Sequence, residues 1–182
     1  MYITPNNNKF DKKRIWIVSD LHIDHRNISR ENESSWDSGY RDFNSTHEMN
    51  LNILDSVNSK VKENDLLINV GDFSFGKQDP LYWRNQIQCK EIIHIYGNHD
   101  HKIKEKQVFE HQMDYLEFYI DKKLFVFFHY PILNWNGKHN KNPSIMCHGH
   151  THLETYGIKN LINVCWCIHR SPILIESLID GN

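Results

Sequence analysis

The chain has 182 residues, 39% of them hydrophobic and 12% aromatic, with a formal net charge of -2. That length suits one domain with a proper buried core; no run is long enough for a membrane-spanning helix, and the opening MYITPNNNKFDKK lacks the apolar core of a signal peptide. A single cytoplasmic domain over 1–182 is expected, and the charge argues against a broad electrostatic grip on nucleic acid. The four cysteines form no CxxC pair and read as reduced, buried thiols, while 13 histidines are the one compositional oddity.

In chain order, IWIV at 15–18 is an apolar strand that runs into SDLHIDH. The polar stretch 29–44 reads as a long loop. Ser45 followed by Glu48 is a capping box, and Met49, Ile53, Leu54, Val57 and Val61 then recur at helical spacing. A strand at 66–70 ends in Gly-Asp, a helix is predicted over 80–88, a strand at 92–96 ends in GNHD, and a further helix spans 103–111. The strand at 124–128 precedes HYP, the strand at 145–147 precedes HGHTH, and 158–166 and 172–178 are the closing strands. This order predicts an α/β protein whose front half is a parallel βαβ unit with right-handed crossovers and whose back half is antiparallel or mixed.

In open α/β sheets, functional groups gather at the carboxyl ends of the strands. Here those ends carry Asp20 and His22, then Asp72, then Asn98 with His99 and Asp100, then His129, and finally His150 with His152. All are oxygen or imidazole donors. They suit divalent manganese, iron, nickel or zinc better than a cysteine-held structural zinc, and they are too many for one ion. Singly each is weak: an aspartate after a strand is commonly a turn former, and His129 alone reads as a core histidine. Together, five strand ends deliver the donor types that a two-metal site requires.

Ordered in this way, SDLH, GD, GNHD, HYP and GHTH resemble the motifs of the calcineurin-like metallophosphoesterase superfamily, with the match running from Asp20 to His152. The chain looks most like the small uncapped phosphoesterases of bacteria and phages, whose first motif continues with the equivalents of His25, Asn27 and Ile28. The resemblance implies a four-layer α-β-β-α sandwich: two mixed β-sheets face to face, flanked by helices, with a dinuclear centre on one edge. It implies that Asp20, His22 and His152 hold a first divalent ion, that Asn98, His129 and His150 hold a second, and that Asp72 bridges them. Manganese is the first expectation, with iron, nickel or zinc allowed by the same donors. A hydroxide between the ions then attacks phosphorus in line with the leaving oxygen. His99 is expected to protonate the leaving group or stabilise the transferring phosphoryl group, and Asp100 to fix the tautomer and orientation of His99.

Where the phage-type enzymes often carry glycine, this chain has Asp24, read as a surface residue or an acceptor behind a ligand. NVCWCIHRSPI keeps that subfamily's flanks around an unusual middle, and His148 is read either as support behind the two ligands of HGHTH or as packing. His25, Arg26, Asn27 and His101 adjoin the motifs and are candidate substrate contacts. Three functions compete: a phosphodiesterase acting on a nucleotide or similar small substrate, favoured because the chain leaves little room for a cap domain; a phosphomonoesterase or broad phosphatase; and a non-catalytic scaffold like the retromer subunit that resembles this fold. The intact His99 and ligand set count against the third. Extended nucleic acid is expected to bind weakly and in a salt-sensitive way.

Overall fold

A computed structural model of the protein describes residues 2–3, 13–29 and 41–180. The chain runs β1 (Tyr2–Ile3), β2 (Ile15–Val18), α1 (Thr46–Lys60), β3 (Leu66–Asn69), α2 (Pro80–Gln86), β4 (Glu91–Ile95), α3 (His101–Lys106), β5 (His111–Met113), β6 (Leu116–Ile120), β7 (Lys123–Phe127), β8 (Ile145–His148), β9 (Leu161–Asn163), α4 (Trp166–His169), β10 (Ile173–Leu174) and α5 (Ser177–Asp180). Most of the loop expected at 29–44 falls on residues 30–40, outside the described residues.

Among the described residues two five-stranded sheets form, one ordered β10-β2-β3-β4-β5 and the other β1-β6-β7-β8-β9. Strands β2 to β5 pair in parallel, with β10 antiparallel on β2. In the second sheet β6 and β7 make an antiparallel hairpin, while β7, β8 and β9 are parallel. Both sheets are therefore mixed, as expected. Side chains alternate across each strand: Ile17, Ile68 and Ile93 meet Phe118, Phe125 and Ile145 between the sheets, while Val18, Leu67 and Ile92 face Met49, Ile53 and Val57 of α1 on the outside.

Helix α1 begins where the capping box placed it. The Glu48 N–H donates to Ser45 Oγ at 3.1 Å, and the Glu48 carboxylate returns to accept from the Asn44 N–H at 3.0 Å. The helical cover is one-sided among the described residues: α1 and Ile103 of α3 pack on the β2–β5 sheet. The outer face of the other sheet, with Leu124, Val126 and Met146, is instead covered by Trp135 and its loop, where the indole N–H donates to Ser144 Oγ at 3.0 Å. No described helix is long and apolar enough to cross a membrane.

Several predicted boundaries move for local reasons. The helix expected at 103–111 starts at His101 and stops at Lys106, because Gln107 turns left-handed (φ 49°) and residues 111–113 find a parallel partner in β4. The strand expected at 158–166 shortens to β9, since Cys165 caps α4 by accepting from the Cys167 N–H. The strand expected at 172–178 divides into β10 and α5, and the helix expected to reach 88 ends at Gln86. Strand β6 has no counterpart among the predicted elements; it pairs with β7 along its whole length.

Candidate metal centre

Parallel strands β2, β3 and β4 end at one edge, so the loops after them emerge side by side. The chain there bends through the left-handed region at Asp20 (φ 53°), His22 (48°), Asp72 (53°), His150 (67°) and His152 (48°). Non-glycine residues pay for that conformation with about 1–3 kcal/mol each, and it persists only where surroundings over-determine it. Here they do: the Asp20 N–H donates to Gly71 O and the His22 N–H to Asp72 O, each at 2.9 Å. The His150 N–H donates to both Asp20 carboxylate oxygens, at 3.1 and 3.0 Å. Glycine is required where loops meet: a Cβ on Gly149 would lie 2.2 Å from Asp20 Oδ2, and one on Gly97 would lie 2.1 Å from Asp72 Oδ1.

All seven expected metal ligands come together. His22 Nε2 lies 3.7 Å from Asp20 Oδ1 and 3.5 Å from Asp72 Oδ2, and it is buried with no hydrogen-bond partner. His152 Nε2 lies 3.8 Å from Asp20 Oδ1. Across the site, His129 Nε2 is 3.3 Å from Asp72 Oδ2 and 3.2 Å from Asn98 Oδ1, and Asn98 Oδ1 is 2.9 Å from His150 Nδ1. Ligand atoms of Asp20, His22 and His152 fall within 4.8 Å of one another, as do those of Asp20, Asp72 and His129. Asp20 thus touches both groups.

The donor set fits divalent cations on a specific observation. His129 Nδ1 is 2.8 Å from the Val70 carbonyl, and a carbonyl only accepts, so Nδ1 carries the hydrogen. In the neutral ring Nε2 then presents a lone pair to the oxygens of Asp72 and Asn98. Lone pairs facing lone pairs call for a cation, either a metal or a second proton. Without a metal the proton answers: burial opposes charge on His129, but the Asp72 hydrogen bond and the fields of Asp20 and Asp72 push its pKa up to about 9. Conversely, burial would raise Asp20 and Asp72, but adjoining histidines hold both carboxyls below the usual range.

His22 is also backed, here by a second imidazole: its Nδ1 is 3.2 Å from His25 Nδ1. Burial, followed by the neighbouring His22 and His99, holds His25 down to about 3. His25 thus backs a candidate ligand as well as facing the cavity described next.

His99, half-buried, has its ring 5.3 Å from that of His22 and 4.6 Å from that of Phe75, and burial lowers its pKa. Its backbone N–H donates to Asp72 Oδ1 at 2.9 Å. A cavity of about 550 Å³ opens beside it, and His25, Arg26, Asn27 and His101 all line that cavity, together with Phe75 and Lys77.

One assignment changes. Asp100 was expected to orient the ring of His99, but its carboxylate turns inward: it accepts from the N–H groups of Gly97 (2.7 Å), Asp72 (2.8 Å) and Phe73 (3.1 Å) and lies 3.0 Å from His94 Nε2. The hydrogen bonds described for the carboxylate go to these groups and not to the His99 ring. Asp100 therefore ties the loop bearing Asp72 to the loop bearing Asn98, and His94 continues that network to Asn69 at 3.1 Å. Asp24 lines the cavity, and its Oδ2 accepts from the Gln78 N–H at 3.1 Å. His148 is buried, its Nδ1 2.9 Å from Gly149 O and its ring 6.2 Å from Tyr156.

Sequence reasoning passed over Phe75, Arg41 and Cys167. Phe75 and Arg41 belong to no pattern. Cys167 carried a faint signal, since it sits in the unusual middle of NVCWCIHRSPI. All four cysteines are free and buried, as expected, but Cys165 and Cys167 lie within 4.8 Å of a His152 nitrogen. A hydrogen bond from Cys165, with Arg41 and His152 nearby, holds the Cys167 thiol down to about 3.

Known proteins resemble this chain in fold and in sequence. A protein of unknown function from Aquifex aeolicus superposes with a TM-score of 0.66 at 21% identity, covering 94% of this chain and 100% of its own. An archaeal phosphodiesterase superposes less well, with a TM-score of 0.45 at 20% identity over 84% of this chain and 82% of its own. An uncharacterized protein of Methanocaldococcus jannaschii is 30% identical over 96 residues, 52% of this chain. The chain spans about half the length of that relative (50%). The sequence profile of the calcineurin-like phosphoesterases matches residues 13–166, which take in every strand end described above. The chain belongs to the calcineurin-like phosphoesterase family.

Proposed function

We propose that the protein is a metal-dependent phosphoesterase that holds two divalent cations, manganese foremost, and hydrolyses phosphodiesters of a nucleotide or similar small molecule. The observation that carries this reading is the convergence of ligand atoms with no donor between them: His22 Nε2, buried with no hydrogen-bond partner, faces two carboxylates, and the His129 Nε2 lone pair faces Asp72 and Asn98. Asp20, His22 and His152 would hold one ion, and Asn98, His129 and His150 the other, with Asp72 between them. When bound, such cations supply Lewis acidity, acidifying a water and neutralising charge on the phosphate.

The chain's own residues do the rest. His99 stands at the rim between the ligands and the cavity, where it presents a ring N–H to the leaving oxygen. Asp100 holds the Asp72 and Asn98 loops in register through their backbone N–H groups. The leaving group passes His99 into the cavity, whose size falls in the range that takes a drug-sized ligand. Phe75 offers an aromatic surface there, and Arg26, Lys77 and Lys102 bring positive charge. The site is open on its other side, where His150 is exposed, so a diester's second substituent can extend away from the ligands. With Mn2+ supplied, bis(p-nitrophenyl) phosphate should turn over faster than p-nitrophenyl phosphate. Equal or faster monoester turnover would sink the diester reading, and two bound ions with no turnover of either would favour the scaffold.

A further inference from the structure

The two nitrogens of His152 face different neighbours. Nε2 looks toward Asp20 at 3.8 Å, and Nδ1 lies 3.2 Å from Cys167 Sγ. A ring that offers its Nε2 lone pair to an ion carries its hydrogen on Nδ1, and that hydrogen points at the sulfur. A histidine in such a site commonly has a carboxylate or carbonyl behind it, as His129 has Val70 O.

The fold delivers the sulfur there. After β9 the chain crosses from one sheet to the other: the Ser19 N–H donates to Val164 O and the Trp166 N–H to Ser19 O, both at 3.0 Å. This brings Cys165 to the cap of α4 and Cys167 to its first turn, beneath His152. The sulfur has a second donor. Arg41 is fully buried, and its guanidinium gives hydrogen bonds to Leu21 O at 2.6 Å, to Asp20 O, and to Cys167 Sγ at 3.4 Å. It lies 4.8 Å from the Trp166 ring, and among the described residues no carboxylate pairs with it. Among the described residues the buried guanidinium meets two carbonyls, the Trp166 ring and this sulfur, so the sulfur is its counterpart there.

We infer that Cys167, faced by Arg41, is a positioning residue for His152: its sulfur accepts the Nδ1 hydrogen and so keeps the Nε2 lone pair directed at the ion held with Asp20 and His22. This rests on the reading of His152 as a metal ligand. The rival is that Cys165, Cys167 and His152 themselves hold a thiophilic ion, since their ligand atoms lie within 4.8 Å of one another.

The test uses the full chain and its Cys167→Ala, Cys167→Ser, Cys167→Val and Cys167→Asp variants, with Mn2+ binding measured by calorimetry and the His152 tautomer read by nitrogen-15 NMR of metal-free protein. Cys167→Ala should weaken one of the two Mn2+ sites by roughly 10–100-fold and leave the other within a factor of two. Cys167→Asp should recover most of that loss, and the Nδ1–H tautomer should persist in wild type and the Asp variant but not in Ala. Cys167→Ser keeps an acceptor and should hold the tautomer, and Cys167→Val, which has none, serves if Ala fails to fold. Unchanged Mn2+ affinity and tautomer in a folded Ala or Val variant overturns the inference. So does a Zn2+ ion lost equally from Cys165→Ala, Cys167→Ala and Cys167→Asp. If wild type binds no Mn2+, the proposed function fails separately, while the metal-free tautomer still decides the role of Cys167.

Discussion

The two halves of the site are supported by different materials. Asp20, His22 and His152 are buried, and the histidines among them are backed by side chains: His25 behind His22, Cys167 and Arg41 behind His152. The other half is more open, with Asn98 partly exposed and His150 exposed, and His129 leans on a backbone carbonyl. A carbonyl in a strand-end loop is present whatever the sequence. Side-chain partners must be recruited from distant segments, so the buried half depends on residues that a single substitution removes.

That contrast can be broken or sharpened by experiment. The largest effect is expected at His99, which stands beside His22 and Asp72 and which the proposed function makes a ligand of neither ion. His99→Ala should lower kcat by ~10²–10⁴-fold while two Mn2+ remain by calorimetry; loss of an ion would make His99 part of one half. Next comes metal removal. Mn2+ at 100 times its Kd should stabilise the fold by about 3 kcal/mol, seen as a Tm that falls when a chelator is added. Release followed with a chelating dye should be biphasic, the faster phase vanishing in His150→Ala. A single phase would mean that exposure does not distinguish the halves.

The smallest effect concerns Asp100, which ties together the Asp72 and Asn98 loops. Burial would raise its carboxyl, but the charge and hydrogen bond of His94 and the backbone donors bring it from 3.8 to about 2. A lowered carboxylate stabilises the fold above its unfolded pKa, and that contribution fades as pH falls from about 4 to about 2. Asp100→Asn should therefore cost about 2 kcal/mol at pH 7, shrinking toward pH 2 in urea titrations. A pH-independent difference would show that the carboxylate's charge contributes nothing there.

The sequence made the strands before SDLH, GD, GNHD, HYP and HGHTH legible, because strands buried on both faces are continuous apolar runs that end abruptly in polar residues. The start of α1 was legible because its cap is local, Ser45 to Glu48. Strand β6 alternates buried and partly exposed residues and offered no apolar run to notice. Helix α4 was misread because its apolar composition suits a strand equally well, and what decides it is the Cys165 cap.

By itself the sequence determined which donors stand at which strand ends, since residue type and the period of apolar runs are local properties. Only the tertiary structure decided what stands behind them. Asp100 and His99 are neighbours in sequence, yet the Asp100 carboxylate serves Asp72, Phe73, Gly97 and His94. Arg41 and Cys167 are 126 residues apart, yet meet at 3.4 Å. Such pairings follow from how the sheets stack and where the chain crosses between them, and a buried polar group takes whichever partner that crossing brings within reach.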